Sequence, residues 1–417
     1  MLRFHVLTLL IALVIMMTLS CFSSCEEIPC TNTTTTSSTS PFLLNSNATY
    51  TLTDCVSDLA FIDLAPSPSE AEAFENVTIR VHRGNVLPRL RFANVYLLRI
   101  RDIDLSVKDV FVSAFIEISS GGASIATAMM DISGAYLLTA VDDVRITIVG
   151  SSIYLNVSVN ATYVTSAVAP LWYLMAPANG VTISAFNGTI QDSNVSIAVN
   201  ISGASGAYQN VVAIAALGTL QYTGNMLHVA IQVVNSTLSL TMKSAAHPNV
   251  TYNAANPAIF NLRSAQQGSS TAAAVLQGVA LTSSGGSRFF VHVEAPSTSS
   301  DIASIWSLRF AVMRDIVVDL QRNTVASIDT VCGGDECRTT LVSNYPSARI
   351  VEIEGASIAS NHSIRAHGCT FSINSPKEAL VFTWQNCQRL SSASAHIEYR
   401  RVCGTVGDIW VGRRFHG

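Results

Sequence analysis

Residues 227–242, LHVAIQVVNSTLSLTM, alternate apolar and polar side chains in two phases. Leu227, Val229, Ile231 and Val233 occupy odd positions, Asn235, Ser236 and Thr237 interrupt, and Leu238, Leu240 and Met242 resume on even ones. Side chains alternate between the faces of a strand, so both apolar sets reach one core only if the chain bends at the interruption. The design recurs. Val144, Ile146 and Ile148 are followed by VGSS and then by Ile153, Leu155, Val157 and Val159; Val181 and Ile183 are followed by FNGT and Ile190. The phase flips again at Arg101-Asp102 within LLRIRDIDLSV. Such a chain is predicted to be a succession of strand, corner and strand.

Units of this kind bury their apolar faces by stacking on one another, which predicts an all-β chain and, within that class, a right-handed parallel β-helix. Tandem β-sandwich domains are the alternative. The corners begin at Arg101, Val149, Phe186 and Val234, separated by 48, 37 and 48 residues. That spacing is too uneven for a fixed repeat and is read as about two coils per interval with insertions. The alanine-rich stretch 270–280, STAAAVLQGVA, suits a short helix or a tightly packed coil equally well.

The compartment follows from what solvates the surface. Charged residues are 12% of the 417, against about 25% in typical soluble proteins, and hydrophobic residues are 49%. Eleven of the 24 asparagines stand in N-x-[ST] sequons: Asn32, Asn47, Asn76, Asn156, Asn160, Asn187, Asn194, Asn200, Asn235, Asn249 and Asn361. Chance supplies roughly five, so the excess points to a glycosylated protein of the secretory pathway. Arg3, the apolar run 6–19 and the small residues Ser20, Ser23 and Ser24 follow the order of a signal peptide. The run 6–22 approaches ~17 residues, the low end for crossing a bilayer, so an uncleaved anchor is the alternative. The terminal DIWVGRRFHG is polar and basic and resembles neither a membrane helix nor a lipid-anchor tail. A net charge of -4 without charged blocks gives no reason to expect nucleic acid.

Organisation along the chain is read in four parts. Residues 1–25 form the signal peptide or anchor, and 26–75 form a Ser/Thr-rich stalk and linker containing TNTTTTSSTSP and PSPSEAEAFE. Residues 76–328 form the β-solenoid body, and 329–417 a disulfide-containing cap over its end. The nine cysteines suit this division, because none falls between Cys55 and Cys332. In an oxidising compartment Cys30, Cys55, Cys332, Cys337, Cys369, Cys387 and Cys403 are disulfide candidates, with Cys332 and Cys337 closing a small loop in CGGDEC.

Chemistry is sparse. A β-helical scaffold that cleaves sugars needs clustered carboxylates, or a base beside Arg or Lys, on one face. Asp102, Asp104 and Asp109 in RDIDLSVKD and Asp142-Asp143 in AVDDV are the acids to consider. They read as turn residues or solvated faces, so no catalytic residue is assigned. His367 beside Cys369, with Cys332, Cys337 and Cys387, does not match zinc-ligand spacing. Neither a metal nor a cofactor is expected, and HExxH, GxSxG, P-loop and dinucleotide motifs are absent.

The leader, the sequon-bearing modules NVSIAVNISGAS and VAIQVVNSTLSL, and the late cysteines together resemble membrane-associated surface proteins of kinetoplastid protozoa, similar to the dispersed gene family protein 1 group. The resemblance covers roughly residues 76–330. It implies a β-helical surface or secreted glycoprotein without a known active site. The expected role is thus an exported or cell-surface glycoprotein with an adhesive, structural or antigenic task. Glycans or surface proteins are its expected partners, and the membrane is another if the N-terminal segment stays uncleaved. The alternative is a β-helical carbohydrate-active enzyme, a lyase or glycoside hydrolase.

Overall fold

A computed structural model describes residues 24–28, 41–57, 60–70, 72–93, 95–118, 128–160, 167–168, 171–175, 181–202, 214–244, 257–264, 274–295, 302–332, 347–354, 358–375, 379–385, 395–400 and 412–413. Among them the regular structure is entirely β, and neighbouring strands pair in parallel. A β-sandwich is built from antiparallel pairs, so the tandem-sandwich alternative is overturned.

The chain visits three sheets in turn. From Ala140–Val149 in the first sheet it enters Ser152–Asn160 in the second and Trp172–Met175 in the third. It returns to the first as Thr182–Gln191, in register beside Ala140–Val149. The next circuit runs through Asn194–Ser202 and Ile214–Thr223 and comes back at Ala230–Val234. Circuits are unequal because the connections differ in length: Val77 lies beside Ile103, Val144 beside Phe186 and Ala230 beside Ala280, which are 26, 42 and 50 positions apart. Parallel pairing requires such a crossover for every strand, and insertions on the way round leave the ladder intact.

What repeats is a pair of bends. Asn47, Asn76, Asp102, Asp143, Ala185, His228, Gly278, Asp315 and Asn361 have positive φ and stack from strand to strand along the first sheet. A second row follows seven positions later in eight of the nine circuits: Asp54, Arg83, Asp109, Gly150, Asp192, Asn235, Gly285 and Gly368, with Asn323 eight after Asp315. Seven of the nine first-row positions and eight of the nine second-row positions hold Asn, Asp or Gly, the residues that tolerate this conformation at least cost. Each bend resets the pleat. Between bends, three alternating side chains point inward, as with Val77, Ile79 and Val81 or Ile103, Leu105 and Val107, all buried.

Two bends per circuit account for the uneven corner spacing. Asp102 and Ala185 belong to the first row, Gly150 and Asn235 to the second. The intervals are therefore single circuits lengthened or shortened by seven, so the expectation of two coils per interval is corrected to one. Two details move with it. In FNGT, Phe186, Gly188 and Ile190 form a straight inward run, and the bends lie at Ala185 and Asp192. Leu227 is half-exposed while Met226 points inward, because His228 is itself a bend.

Inward side chains stack like on like. Tyr50, Ile79, Leu105, Ile146, Gly188, Ile231, Leu281, Val318 and Ile364 form one unbroken row. Each buried Ile, Leu or Val contributes about 1.5–3 kcal/mol. Beneath the second bend a polar ladder replaces the apolar one. The backbone N–H groups of Val110, Ser151 and Ser193 donate to the hydroxyls of Ser151, Ser193 and Ser236, at 3.2, 3.1 and 3.1 Å. Those hydroxyls donate in turn to the carbonyls of Val149, Gln191 and Val234. The serines thus satisfy amides that the bend removes from the sheet. Ser193→Ala strands the Ser151 amide in the core, and a loss of about 1–3 kcal/mol in urea unfolding is expected. An unchanged midpoint would show that the ladder carries no stability.

The expected boundaries also shift. Strands Phe42–Leu44, Ala48–Cys55 and Phe61–Pro66 lie inside the predicted stalk and linker and already pair with later circuits. Beyond residue 328, Ser347–Glu354, Ile358–His367, Thr370–Asn374 and Ala379–Gln385 continue the same three sheets in register. The stretch 270–280 contributes to strand Val275–Ser284.

Candidate functional site

The acids singled out by sequence gather on the outside of the first sheet, where the hydrogen bonds and ion pairs of Asp102, Asp109, Asp142 and Asp143 are with cations or a hydroxyl. Asp102 and Asp143 occupy the same bend on adjacent strands, where Arg101 lies 2.9 Å from one and Arg145 3.0 Å from the other. Asp142 accepts the Ser184 hydroxyl, Asp109 in the second bend row faces His82 at 3.3 Å, and Asp104 is paired across strands with Arg145. The two bend acids are thus neutralised locally, whereas general acid and base carboxylates must face a shared substrate.

The cysteine expectation is corrected at Cys369. Its thiol is free and buried, donates toward the Leu320 carbonyl at 3.1 Å, and is pushed up to about 11 mainly by burial. Cys369 occupies the inward corner position that Ser151, Ser193 and Ser236 hold on earlier circuits, which explains a lone thiol there: it fills the serine's place in the ladder. Cys55 is fully buried, and its partner lies outside the described residues. Cys30, Cys337, Cys387 and Cys403, and the side chain of Cys332, also lie outside them. Among the described residues no group of three or more His, Cys, Asp or Glu side chains is placed to hold a metal.

The sequon asparagines with described side chains fall on the outer surface. Asn47, Asn76, Asn156, Asn187, Asn200, Asn235 and Asn361 are exposed, and Asn194 is half-buried, donating to the Tyr154 hydroxyl at 2.9 Å. Asn32 and Asn249, and the side chain of Asn160, lie outside the described residues. Four of the exposed set stand in the bend rows, where a left-handed backbone thrusts the amide outward: Asn47, Asn76 and Asn361 in the first and Asn235 in the second. Asn235 donates to Asp192 at 2.7 Å, and Asn76 to Asn47 at 3.1 Å. On the second sheet Asn156 and Asn200 lie on neighbouring strands two residues apart, roughly 8 Å between backbones, and Asn156 stands opposite the exposed Phe115.

Two buried polar features escape sequence reasoning. On the third sheet Asp131, Tyr173, Thr219, Asn261, Ser307 and Glu352 form a cross-strand row, each 6% exposed or less. Glu352 pairs with Arg349 at 2.8 Å and accepts from Ser307 at 3.1 Å; burial raises the Asp131 carboxyl above its usual range. The other feature is His362, an inward side chain in the position held by Val77, Val144 and Val229 on earlier strands. Both ring nitrogens lack a hydrogen-bond partner among the described residues. The seven-residue bend spacing would have revealed His362, since it follows Asn361 as Val77 follows Asn76.

No family model, curated protein or solved structure matches this chain.

Proposed function

We propose that the three parallel sheets form a right-handed parallel β-helix, and that the chain is an exported or cell-surface glycoprotein with an adhesive, structural or antigenic role. Crossover connections between parallel strands are right-handed in about 98% of cases, which supports the handedness. The observation that carries the function is the placement of the sequons: seven of the eight sequon asparagines with described side chains are exposed, and none of the eight is fully buried. A glycan needs its asparagine amide in solvent, and a chain with only 12% charged residues gains solubility from it. The acids support the enzymatic alternative less well, because Asp102 and Asp143 each face an arginine of their own. The same reading carries the likeness to kinetoplastid surface proteins as a proposal about lineage.

Peptide-N-glycosidase treatment of the full chain from a glycosylating eukaryotic host tests the reading. A stepwise mass loss, with Asn converted to Asp at Asn187, Asn235 and Asn361 among others, is expected. A chain that enters the secretory pathway and shows no mass change would sink it.

A further inference from the structure

At the second bend row the last circuits leave a notch. Gly285 and Gly368 stand on either side of Arg322, both with φ near +65° and neither with a side chain to fill the bend. Gly368 is close enough that a Cβ there would lie 3.4 Å from the Arg322 side chain. Backbone hydrogen bonds from Gln321 to Ser283 and from Asn323 to Gly368, at 2.9 and 3.0 Å, hold the arginine between them. On the sheet edge beside the bend, Asp319 and Arg365 are neighbours across strands, and Gln321 and His367 follow the paired Leu320 and Ala366. Gly285, Asp319, Gln321, Arg322, Arg365 and His367 line a concavity of about 640 Å³, within the ~300–1,000 Å³ usual for small-molecule sites.

We propose that this notch binds an acidic saccharide, with its anionic group held by Arg322 and Arg365. Neither guanidinium makes an ion pair among the described residues, although Asp319 lines the same concavity. Two uncommitted guanidinium forks facing one open depression suit a planar carboxylate or a sulfate ester, whose oxygens accept paired N–H bonds. Asp319 and Gln321, already joined by a 3.2 Å hydrogen bond, add acceptors and an amide suited to sugar hydroxyls on the same ligand. His367 supplies a further ring nitrogen at the rim. An anion with no hydroxyls would leave the Asp319 side without a partner and with a like charge nearby. The site is built from the bend and not from the sequons, so it stands or falls independently of glycosylation.

The test is calorimetric titration of the full chain, before and after deglycosylation, with a uronic-acid tetrasaccharide, a sulfated tetrasaccharide, a neutral tetrasaccharide and inorganic sulfate. Saturable binding of at least one acidic tetrasaccharide is expected, at least tenfold tighter than the neutral one or free sulfate; which acidic probe binds tells carboxylate from sulfate ester. Arg322→Gln and Arg365→Gln should each weaken it tenfold or more, with unfolding midpoints unchanged because both side chains are exposed. The proposal is overturned if neither acidic probe binds, if the neutral probe or free sulfate binds as tightly, or if both variants bind like the parent chain. Loss of binding on deglycosylation alone would place the ligand on the glycans and would also overturn it.

Discussion

Gly218→Ala is expected to destabilise the protein by about 2–4 kcal/mol, although it adds a single methyl group. Gly218 lies in the third sheet between Trp172 on one side and Phe260 on the other. The Trp172 indole folds over the glycine and stacks on the Phe260 ring, with centroids 5.4 Å apart and planes 8° from parallel; Phe260 stacks in turn on Trp306 at 4.7 Å. A Cβ on Gly218 would sit 2.3 Å from Trp172 Cε2, 2.5 Å from Nε1 and 2.6 Å from Cζ2. The indole has no room to retreat. It is 1% exposed, touches Phe186 at 5.3 Å, and lies 2.9 Å from where a Cβ on Gly188 would be. The stack must therefore break or the strands must separate, and either outcome forfeits aromatic contacts worth about 0.5–1.5 kcal/mol per pair beyond their buried area. Urea unfolding of G218A should show a lower midpoint at unchanged slope. In the double variant with Trp172→Leu the two losses should add to less than their sum, because the second change removes the obstacle. Additive losses, or a G218A midpoint within 0.5 kcal/mol of the parent, would show that the ring is free to move.

The second large effect depends on pH. Burial is the main cause that lowers the His362 pKa to about 4, and Asp315 opposes it weakly from the neighbouring bend. The folded imidazole is neutral at pH 7, as it is in the unfolded chain, where the pKa is near 6.5. As pH falls below about 6.5 the unfolded chain takes up a proton that the folded one refuses. Stability is therefore complete above pH 6.5 and declines down to about pH 4, where the folded state is protonated too. One such group predicts a loss of ~2 kcal/mol between pH 7.5 and pH 5. His362→Val places in the row the residue that Val77, Val144 and Val229 provide on earlier strands. It should remove that component of the acid sensitivity and, by eliminating two unpaired buried nitrogens, raise stability at pH 7 by about 1 kcal/mol. Identical pH slopes for H362V and the parent would mean that the imidazole finds a partner or water in solution.

Much of the local architecture can be read from the residues alone. Alternation at Val229, Ile231 and Val233, or at Ile153, Leu155 and Val157, assigns an inner and an outer face without reference to any other segment, because the pleat has a period of two. The phase flip at Asn235-Ser236 marks a bend for the same reason, and the exposure of its sequon follows from the bend. The exposed sequons at Asn187 and Asn200 were likewise legible, since both precede or interrupt apolar alternation on the outward phase.

Other features depend on which strands become neighbours, and alternation carries no information about that. The first and second bends look alike locally, so corners taken from both rows give irregular intervals; only the cross-strand register sorts Asp102 with Asp143 and Asp109 with Gly150. Circuit length is free because loop-closure entropy changes slowly with length, and the connections absorb the difference between 26 and 50 residues. Thr219, Asn261, Ser307 and Glu352 read as ordinary surface residues until the third sheet aligns them and encloses them. The notch at Arg322 exists because glycines on the two adjacent circuits, 37 positions before and 46 after it, come to lie beside it. The sequence by itself determined which side chains face inward and where the chain bends, since both are set within a few residues by backbone stereochemistry. Only the tertiary structure decided which bends stack, which polar groups are buried and which cations share a concavity, since those depend on strand neighbours dozens of residues apart.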